Sequence, residues 1–167
     1  MPPRPASIKV RALQWLAQRE HSRSELRAKL LRLLERPAPG AGTAFGACAD
    51  PAGEVDQLLD WLTARGYLSP QRFVDSRVHA RQSRYGNLHI QRELRQHGLT
   101  LDPQARQALQ ASEFDRAREV WRKKYGSAGQ AADVAARVRQ MRFMTGRGFS
   151  PEVIRRVVGG AESDHDG

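Results

Sequence analysis

Three arginines mark the most chemically suggestive stretch of the 167-residue sequence: Arg77, Arg81 and Arg84. On a helix, residues spaced four and then three positions apart lie on one face. Guanidinium groups make bidentate contacts with phosphates and carboxylates. Asp75 lies away from this face and offers the three arginines little compensation. The spacing therefore predicts a basic stripe that binds a polyanion or an acidic protein surface.

Further basic residues follow later in the chain. Arg92 and Arg95 come after a Tyr85-Gly86 corner, and Tyr85 is the aromatic residue best placed to stack on a nucleic-acid base. Six more arginines have only Glu152 as a nearby acid: Arg137, Arg139, Arg142, Arg147, Arg155 and Arg156. Any one of them could instead be a solvated side chain whose stem covers the core. As a collection, we predict that they line a partner- or DNA-binding surface.

The residues do not form a recognisable catalytic or metal site. The five histidines lack the spacing of paired ligands on a helix face, and Cys48 is the single cysteine. Asp56 and Asp60 are helical neighbours that we interpret as solvated acids on an outer face. Gly146-Arg147-Gly148 lacks the strand–turn–helix context of a nucleotide-binding loop. We predict no catalytic residues, no metal, no cofactor and no enzymatic activity.

Composition limits the class of protein further. The formal net charge is +10 and 40% of residues are apolar, which is typical of a folded protein that attracts polyanions or acidic surfaces. A single cysteine excludes an intramolecular disulfide and indicates a reducing compartment. The sequence has neither a signal-peptide core nor a run of apolar residues long enough to cross a membrane. We expect a monomeric cytoplasmic protein.

The elements that must position these side chains are separated by a repeated signal. Gly66, Gly98 and Gly148 are each followed by apolar residues and then by Ser-Pro or Asp-Pro. Glycine suits the left-handed position after a helix, whereas Ser or Asp before Pro suits the start of the next one. The signal predicts short helices with tight corners, at which Tyr67 and Phe149 fold back onto the preceding helix.

Helical periodicity predicts an all-α fold of about nine short helices, because no alternating run indicates a strand. Their approximate positions are 8–19, 22–35, 54–65, 70–84, 87–97, from 103, from 112, 131–145 and from 151. Ser7 and Ser112 are predicted N-caps. Val134 and Val138 are predicted to point inward from the eighth helix.

An internal repeat groups the helices in threes, since Glu25-Leu26-Arg27 recurs as Glu93-Leu94-Arg95. We therefore predict three tandem three-helix units. The three predicted units span 7–66, 67–111 and 112–159, and the first contains a mobile loop at 36–53. Two segments lie outside the units: a disordered N-terminus at 1–6 and a flexible acidic tail at 160–167.

Motifs across residues 8–158 resemble those of the RecX family, regulators of the RecA recombinase. The matching residues are Ser22, Ser24, Glu25-Leu26, Lys29-Leu30, Leu62, Gly66-Tyr67-Leu68, Arg72-Phe73, Tyr85-Gly86, Ile90, Arg92-Glu93-Leu94-Arg95, Gly98-Leu99, Arg142-Phe143-Met144 and Arg147-Gly148-Phe149-Ser150. The chain departs from the family pattern at Pro70-Gln71, where Asp-Glu is usual, at His97, where a basic residue is common, and in its longer 36–53 loop.

The resemblance implies a curved array of three helical units that settles into the groove of a RecA filament on single-stranded DNA. Such a protein would suppress ATP hydrolysis, strand exchange and coprotease activity of the filament. Two alternatives stay open on the residues alone. One is a non-specific nucleic-acid-binding helical module that binds single- or double-stranded DNA directly, and the other is a helical adaptor for an unrelated acidic protein.

Overall fold

The computed structural model of the protein describes residues 7–35, 50–126 and 133–159. Nine α-helices and no strand occur within these ranges, which confirms the predicted all-α fold. They are α1 (Ile8–Gln18), α2 (Arg23–Glu35), α3 (Pro51–Ala64), α4 (Pro70–Arg81), α5 (Asn87–Gln96), α6 (Pro103–Ala111), α7 (Glu113–Tyr125), α8 (Val134–Gly146) and α9 (Pro151–Gly159). In the described part of the chain, none of the helices combines the length and apolarity that crossing a membrane requires. The predicted N-terminal segment 1–6 and tail 160–167 lie outside the described residues.

Polar side chains begin several of the helices as predicted. The Ser7 hydroxyl accepts a hydrogen bond from the Val10 amide at 3.3 Å, and the Asp102 carboxylate accepts one from Ala105 at 2.8 Å. Asp50 caps α3 in the same way, with Pro51 in the first turn. Since Asp50 supplies the cap, α3 begins three residues earlier than predicted, and only 36–49 of the predicted loop lie outside the described residues.

The prediction that the Ser112 side chain caps α7 is wrong. Ser112 occupies the N-cap position, but its hydroxyl accepts no amide hydrogen bond from the helix. The hydroxyl instead donates to the Leu109 carbonyl at 3.2 Å and accepts from Arg116 Nε at 3.2 Å. The hydroxyl is thus committed to joining the end of α6 to the first turn of α7.

The three glycine corners have the predicted backbone. Gly66, Gly98 and Gly148 have φ values of +73°, +72° and +77°. In each case the amide after the glycine donates to the carbonyl five residues earlier, as Phe149 does to Met144 at 3.3 Å. Phe149 is buried as predicted.

Tyr67 behaves differently from Phe149. Its side chain is 49% exposed and stacks on the ring of Trp61, with ring centroids 5.8 Å apart. The next residue, Leu68, is the one that enters the core. The residue buried after Gly66 is therefore the second apolar residue, Leu68, whereas the residue buried after Gly148 is the first, Phe149.

The chain divides into two compact units, residues 1–73 and 74–167, with the boundary after Phe73 in α4. In the first unit, α2 packs against α1 and α3. The buried core consists of Ile8, Ala12, Leu26, Leu30, Val55, Leu59, Leu62 and Leu68. Trp15 and Trp61 pack at the edge of this cluster and stay partly exposed.

In the second unit, α7, α8 and α9 pack on one another. Their buried apolar cluster consists of Ala117, Val120, Met144, Ile154 and the corner residue Phe149. The division of the whole chain into three three-helix units stays a prediction.

The predicted inward face of α8 is wrong at its first two positions. Val134 is 79% exposed and Val138 is 40% exposed, whereas Gln140 and Met144 are buried. The Trp121 indole N–H donates to the Gln140 side-chain oxygen at 3.1 Å. Because a largely buried indole N–H needs an acceptor, α8 turns its glutamine rather than its valines toward α7.

Candidate functional site

The prediction of one helical stripe is wrong at Arg84, because α4 ends at Arg81 and Arg84 lies in the turn that follows. The two arginines on α4 are paired with an acid from α5. Arg81 forms a bidentate pair with Glu93, with N···O distances of 2.9 and 3.2 Å, and Arg77 lies 3.4 Å from the same carboxylate. The sequence prediction considered Asp75 as the nearby acid and did not identify Glu93 as a partner of the stripe. The fold brings Glu93 to the stripe across the corner between the two helices.

Burial tends to raise the pKa of the Glu93 carboxyl. The hydrogen bond from Arg81 and the charges of Arg81 and Arg77 outweigh burial, so the pKa lies below its ordinary value. The same bond raises the pKa of the Arg81 guanidinium. We infer that Arg77 and Arg81 hold α4 against α5 and that Arg84 is the member of the stripe available to a partner.

Arg84 lies in a cleft of about 540 Å³ within the second unit. The lining residues are Ser83, Arg84, Val120, Lys123, Lys124, Phe143 and Arg147. They come from the turn after α4, the end of α7 and the end of α8. Four of the seven are cations, and no acidic side chain of the described residues lines the cleft. We call this feature the basic cleft.

The guanidinium of Arg147 lies against aromatic rings in this region. It is 5.3 Å from the Tyr85 ring centroid and 5.2 Å from that of Phe143. Lys124 Nζ lies 5.9 Å from the Phe143 centroid. A ring face attracts a cation without neutralising it, so the charge stays available to an anion. Cation–π contacts thus position these side chains without an internal counter-ion.

Tyr85 is less open than predicted. One face of its ring stacks on His89 at a centroid distance of 4.0 Å and an interplanar angle of 13°. The side chain is partly buried rather than fully exposed. Because His89 covers one face, at most the opposite face and the ring edge of Tyr85 are open to a base.

A close backbone contact brings Tyr85 and Arg147 together. The Gly86 amide donates to the Arg147 carbonyl at 2.9 Å, and the Leu88 amide donates to the Gly148 carbonyl at 3.0 Å. A Cβ on Gly86 would lie closer than 3.0 Å to Gly148 and Phe149 backbone atoms. Glycine is therefore required for this close approach between the start of α5 and the corner that follows α8.

A buried carboxylate joins three helix starts behind the cleft. Glu113, at the first position of α7, is 4% exposed. It accepts hydrogen bonds from the Asn87 amide at 3.0 Å, the Ser150 amide at 3.2 Å and the Ser150 hydroxyl at 3.1 Å. Asn87 begins α5 and Ser150 precedes α9, so the negative charge faces the positive ends of helix dipoles.

Arg116 acts one turn further along α7. Its guanidinium donates to the carbonyls of Gln82, Tyr85 and Leu109 at 3.1, 2.9 and 3.0 Å. Burial lowers the pKa of Arg116, although the charge of Glu113 opposes that change. The arginine therefore fixes the backbone on both sides of Arg84. Sequence reasoning missed both Glu113 and Arg116, because their partners are distant in the chain.

The other predicted residues are not all collected at the basic cleft. Among the described residues that line it, Arg84 and Arg147 are the predicted ones. Arg156 lies 4.2 Å from the Phe114 ring centroid and lines a separate depression. The exposed remainder consists of Arg92, Arg95, Arg137, Arg139, Arg142 and Arg155. Lys123, Lys124 and Phe143 were missed, although Arg122-Lys123-Lys124 is a run of consecutive cations that could have indicated the site.

Two acids of the first unit are structural. Asp56 receives two hydrogen bonds from Arg27 at 2.8 and 3.1 Å, and Asp60 lies 2.8 Å from Arg23. The hydrogen bond from Arg27 lowers the pKa of Asp56. They are on the outer face as predicted, but they are paired across α2 and α3 rather than merely solvated. No group of three potential metal ligands occurs within the described ranges.

Comparison with known proteins gives consistent matches. Residues 111–158 match the family model described as RecX, third three-helix domain. The chain is 43% identical over 165 residues to the regulatory protein RecX of Ralstonia nicotianae, covering 98% of this chain and 93% of that protein. It is 44% identical over 162 residues to the regulatory protein RecX of Leptothrix cholodnii, covering 96% of this chain and 92% of that protein. The Ralstonia pickettii protein of the same name is 40% identical over 164 residues, with 97% and 92% covered.

Proposed function

The chain belongs to the RecX family, and from that premise we propose that it regulates the RecA recombinase. It binds RecA filaments on single-stranded DNA and inhibits their ATP hydrolysis, strand exchange and coprotease activity. Recombination and DNA repair are thereby modulated. It acts in the cytoplasm as a monomer, without a cofactor and without catalysing a reaction itself.

The observation that carries this proposal is identity above 40% that extends over nearly the whole length of both chains. The relatives are named regulatory proteins, which agrees with a binding role. A net charge of +10 supports the same function, because a filament on DNA presents phosphates and charge complementarity accelerates association.

The residues proposed to contact the partner follow from the geometry. Arg84, Tyr85 and Arg147 are the first choice, since they lie in or beside the basic cleft. The exposed arginines form a second set: Arg92, Arg95, Arg137, Arg139, Arg142, Arg155 and Arg156. Arg77 and Arg81 act indirectly by holding α4 in place.

The test is ATP hydrolysis by RecA on single-stranded DNA, with this protein titrated into preformed filaments. We expect inhibition at well below one protein per recombinase subunit. The titration is repeated with DNA raised severalfold and recombinase held constant. A filament regulator keeps its inhibitory ratio to recombinase, whereas a protein that sequesters DNA loses its effect.

Absence of inhibition at equimolar protein would contradict the proposal. If the protein then bound DNA tightly by itself, the non-specific nucleic-acid-binding module would replace it. Binding to the filament should also be measured directly by co-sedimentation. If the protein binds the filament without inhibiting ATP hydrolysis, the binding part of the proposal holds and the inhibition part is wrong.

A further inference from the structure

We propose that the basic cleft binds the phosphodiester backbone of a single-stranded nucleic acid directly, without the recombinase. The inference deepens the proposed function by naming a site and a ligand for it. It predicts that the protein holds the DNA strand itself, in addition to any contact with protein subunits.

The charge of the cleft is the first step of the argument. Arg84 forms no ion pair with any residue that the structure describes, and Arg147 is positioned by aromatic rings. Lys123 lies 3.6 Å from Glu119, but the two side chains are 69% and 43% exposed, and a solvent-exposed pair of this kind is weak. Four cations therefore line one cleft in which the described residues place no acidic side chain. Such a cluster favours an anion, and phosphate is an anion that both Arg and Lys bind through charge-assisted hydrogen bonds.

The aromatic side chain is the second step. Phe143 lines the cleft between Lys124 and Arg147, and Tyr125 contacts it edge-on at 5.7 Å. The Arg147 guanidinium also lies 5.3 Å from the centroid of the Tyr85 ring. Cations alternating with aromatic rings are typical of surfaces that follow a strand and stack its bases. A single strand offers bases for stacking, whereas a duplex keeps them inside, so the arrangement favours a single strand.

Size is the third step. A volume of about 540 Å³ lies within the roughly 300–1,000 Å³ of small-ligand clefts. A protein partner would need a much broader contact, roughly 800 Å² on each side. The seven lining residues suit one or two nucleotides of a strand that continues past the cleft.

The experiment measures binding of a fluorescein-labelled oligothymidylate to the full chain by anisotropy, across a series of salt concentrations. The test variant is Lys123→Gln/Lys124→Gln. The matched control is Arg11→Gln/Arg118→Gln, which removes the same charge at exposed positions outside the cleft. Each phosphate contact contributes about 0.7 to the slope of log K against log salt for single strands.

We expect the slope of the test variant to fall by about 1.4 and its affinity at low salt to fall on the order of tenfold. The control should lose much less affinity, because only the long-range charge changes. A third variant, Phe143→Leu, should lose roughly fivefold or more in affinity while its salt slope is unchanged. Circular dichroism melting confirms that each variant is folded.

Equal losses in the test and control variants would overturn the proposal, since binding would then follow net charge alone. Poly-L-glutamate of matched charge is the second probe. If it competes as well as the oligonucleotide, the cleft is a site for acidic protein and the proposal fails.

The proposed function can survive either failure. If the wild-type protein inhibits filament ATP hydrolysis but does not bind the oligonucleotide, only the nucleic-acid assignment of the cleft is wrong. If it binds the oligonucleotide through Lys123 and Lys124 but leaves the filament unaffected, the cleft assignment holds and the regulatory proposal is wrong.

Discussion

The two compact units use charge in different ways. In residues 1–73, four arginines pair with acids of the same unit: Arg19 with Glu25, Arg23 with Asp60, Arg27 with Asp56 and Arg72 with Glu20. In residues 74–167, the acids Glu93 and Glu113 are bound internally, and the cations of the basic cleft lie beside aromatic rings. Ion pairs and buried acids thus join helices in both units, but the second unit also carries the cluster of cations at the basic cleft, among which no acidic side chain of the described residues lies.

The glycine corners of the two units also differ, in the space around the glycine. Gly66 and Gly148 share a left-handed backbone, but a Cβ on Gly66 would meet open space. A Cβ on Gly148 would lie closer than 3.0 Å to His89. The same local signal is thus a simple turn in one unit and a close backbone contact in the other. The same glycine motif therefore serves different structural roles at the two corners.

The largest effect should come from alanine at the crowded glycines. Gly148→Ala combines left-handed strain of about 1–2 kcal/mol with overpacking of about 1–3 kcal/mol. Gly66→Ala should cost only the strain. Urea unfolding of both variants measures the difference in free energy. Equal losses would show that the α8–α9 corner relaxes freely and that the two corners are equivalent after all.

Removing the buried acid should come next. Glu113→Ala leaves the Asn87 and Ser150 donors without their acceptor, and breaking such a buried charged network costs about 3 kcal/mol. Asp56→Ala is the control from the first unit, where the carboxylate is partly solvated and the loss should be clearly smaller. A similar effect of both substitutions on the urea midpoint would contradict the distinction between the two units.

Substituting Arg81 and Arg84 one at a time should distinguish an arginine that stabilises the fold from one that contacts the partner. Arg81→Gln removes the bidentate partner of Glu93, so the melting temperature should fall. Arg84→Gln should leave the melting temperature nearly unchanged and weaken filament inhibition. Thermal melting and the ATP hydrolysis assay on both variants check this. The opposite pattern would return Arg81 to the contact surface.

The smallest effect concerns pH and belongs to the first unit. His21 is buried; its Nδ1–H donates to the Arg19 carbonyl at 2.9 Å, and Nε2 accepts from Lys29 at 3.0 Å. Burial lowers its pKa in the folded state. The unfolded chain therefore binds more protons, and stability should decrease as pH falls below about 6.5.

Melting at pH values of about 7.5 and 5.5 measures this change. His21→Gln should show a flatter dependence, because a glutamine cannot take up the proton. If wild type and variant changed equally, the exposed histidines rather than His21 would control the response.

Local signals predicted much of the fold. The φ values at Gly66, Gly98 and Gly148 followed from glycine chemistry, and the caps at Ser7 and Asp102 followed from hydrogen bonding within one turn. Each depends on residues within a few positions of one another. The start of α3 was missed by three residues because a loop rich in Pro, Ala and Gly hid the Asp50 cap.

Long-range pairing was not predictable from the same reasoning. The hydrogen bond from Trp121 to Gln140 joins residues 19 positions apart, and the pairing of Arg77 and Arg81 requires Glu93 from the next helix. Amphipathic periodicity identifies the most apolar face of a helix such as α8. It carries no information about a hydrogen-bond acceptor that a distant side chain such as Trp121 requires. The basic cleft was half predicted for this reason, through Arg84 and Arg147 but not through Lys123 and Lys124.

The backbone contact at Gly86 has a kinetic consequence. The amides of Gly86 and Leu88 are held by carbonyls some sixty residues later in the chain. These two amides can exchange with solvent only when α5 separates from the α8–α9 corner. Their deuterium uptake should therefore occur at one common rate, set by the opening of that contact rather than by fraying of α5 itself.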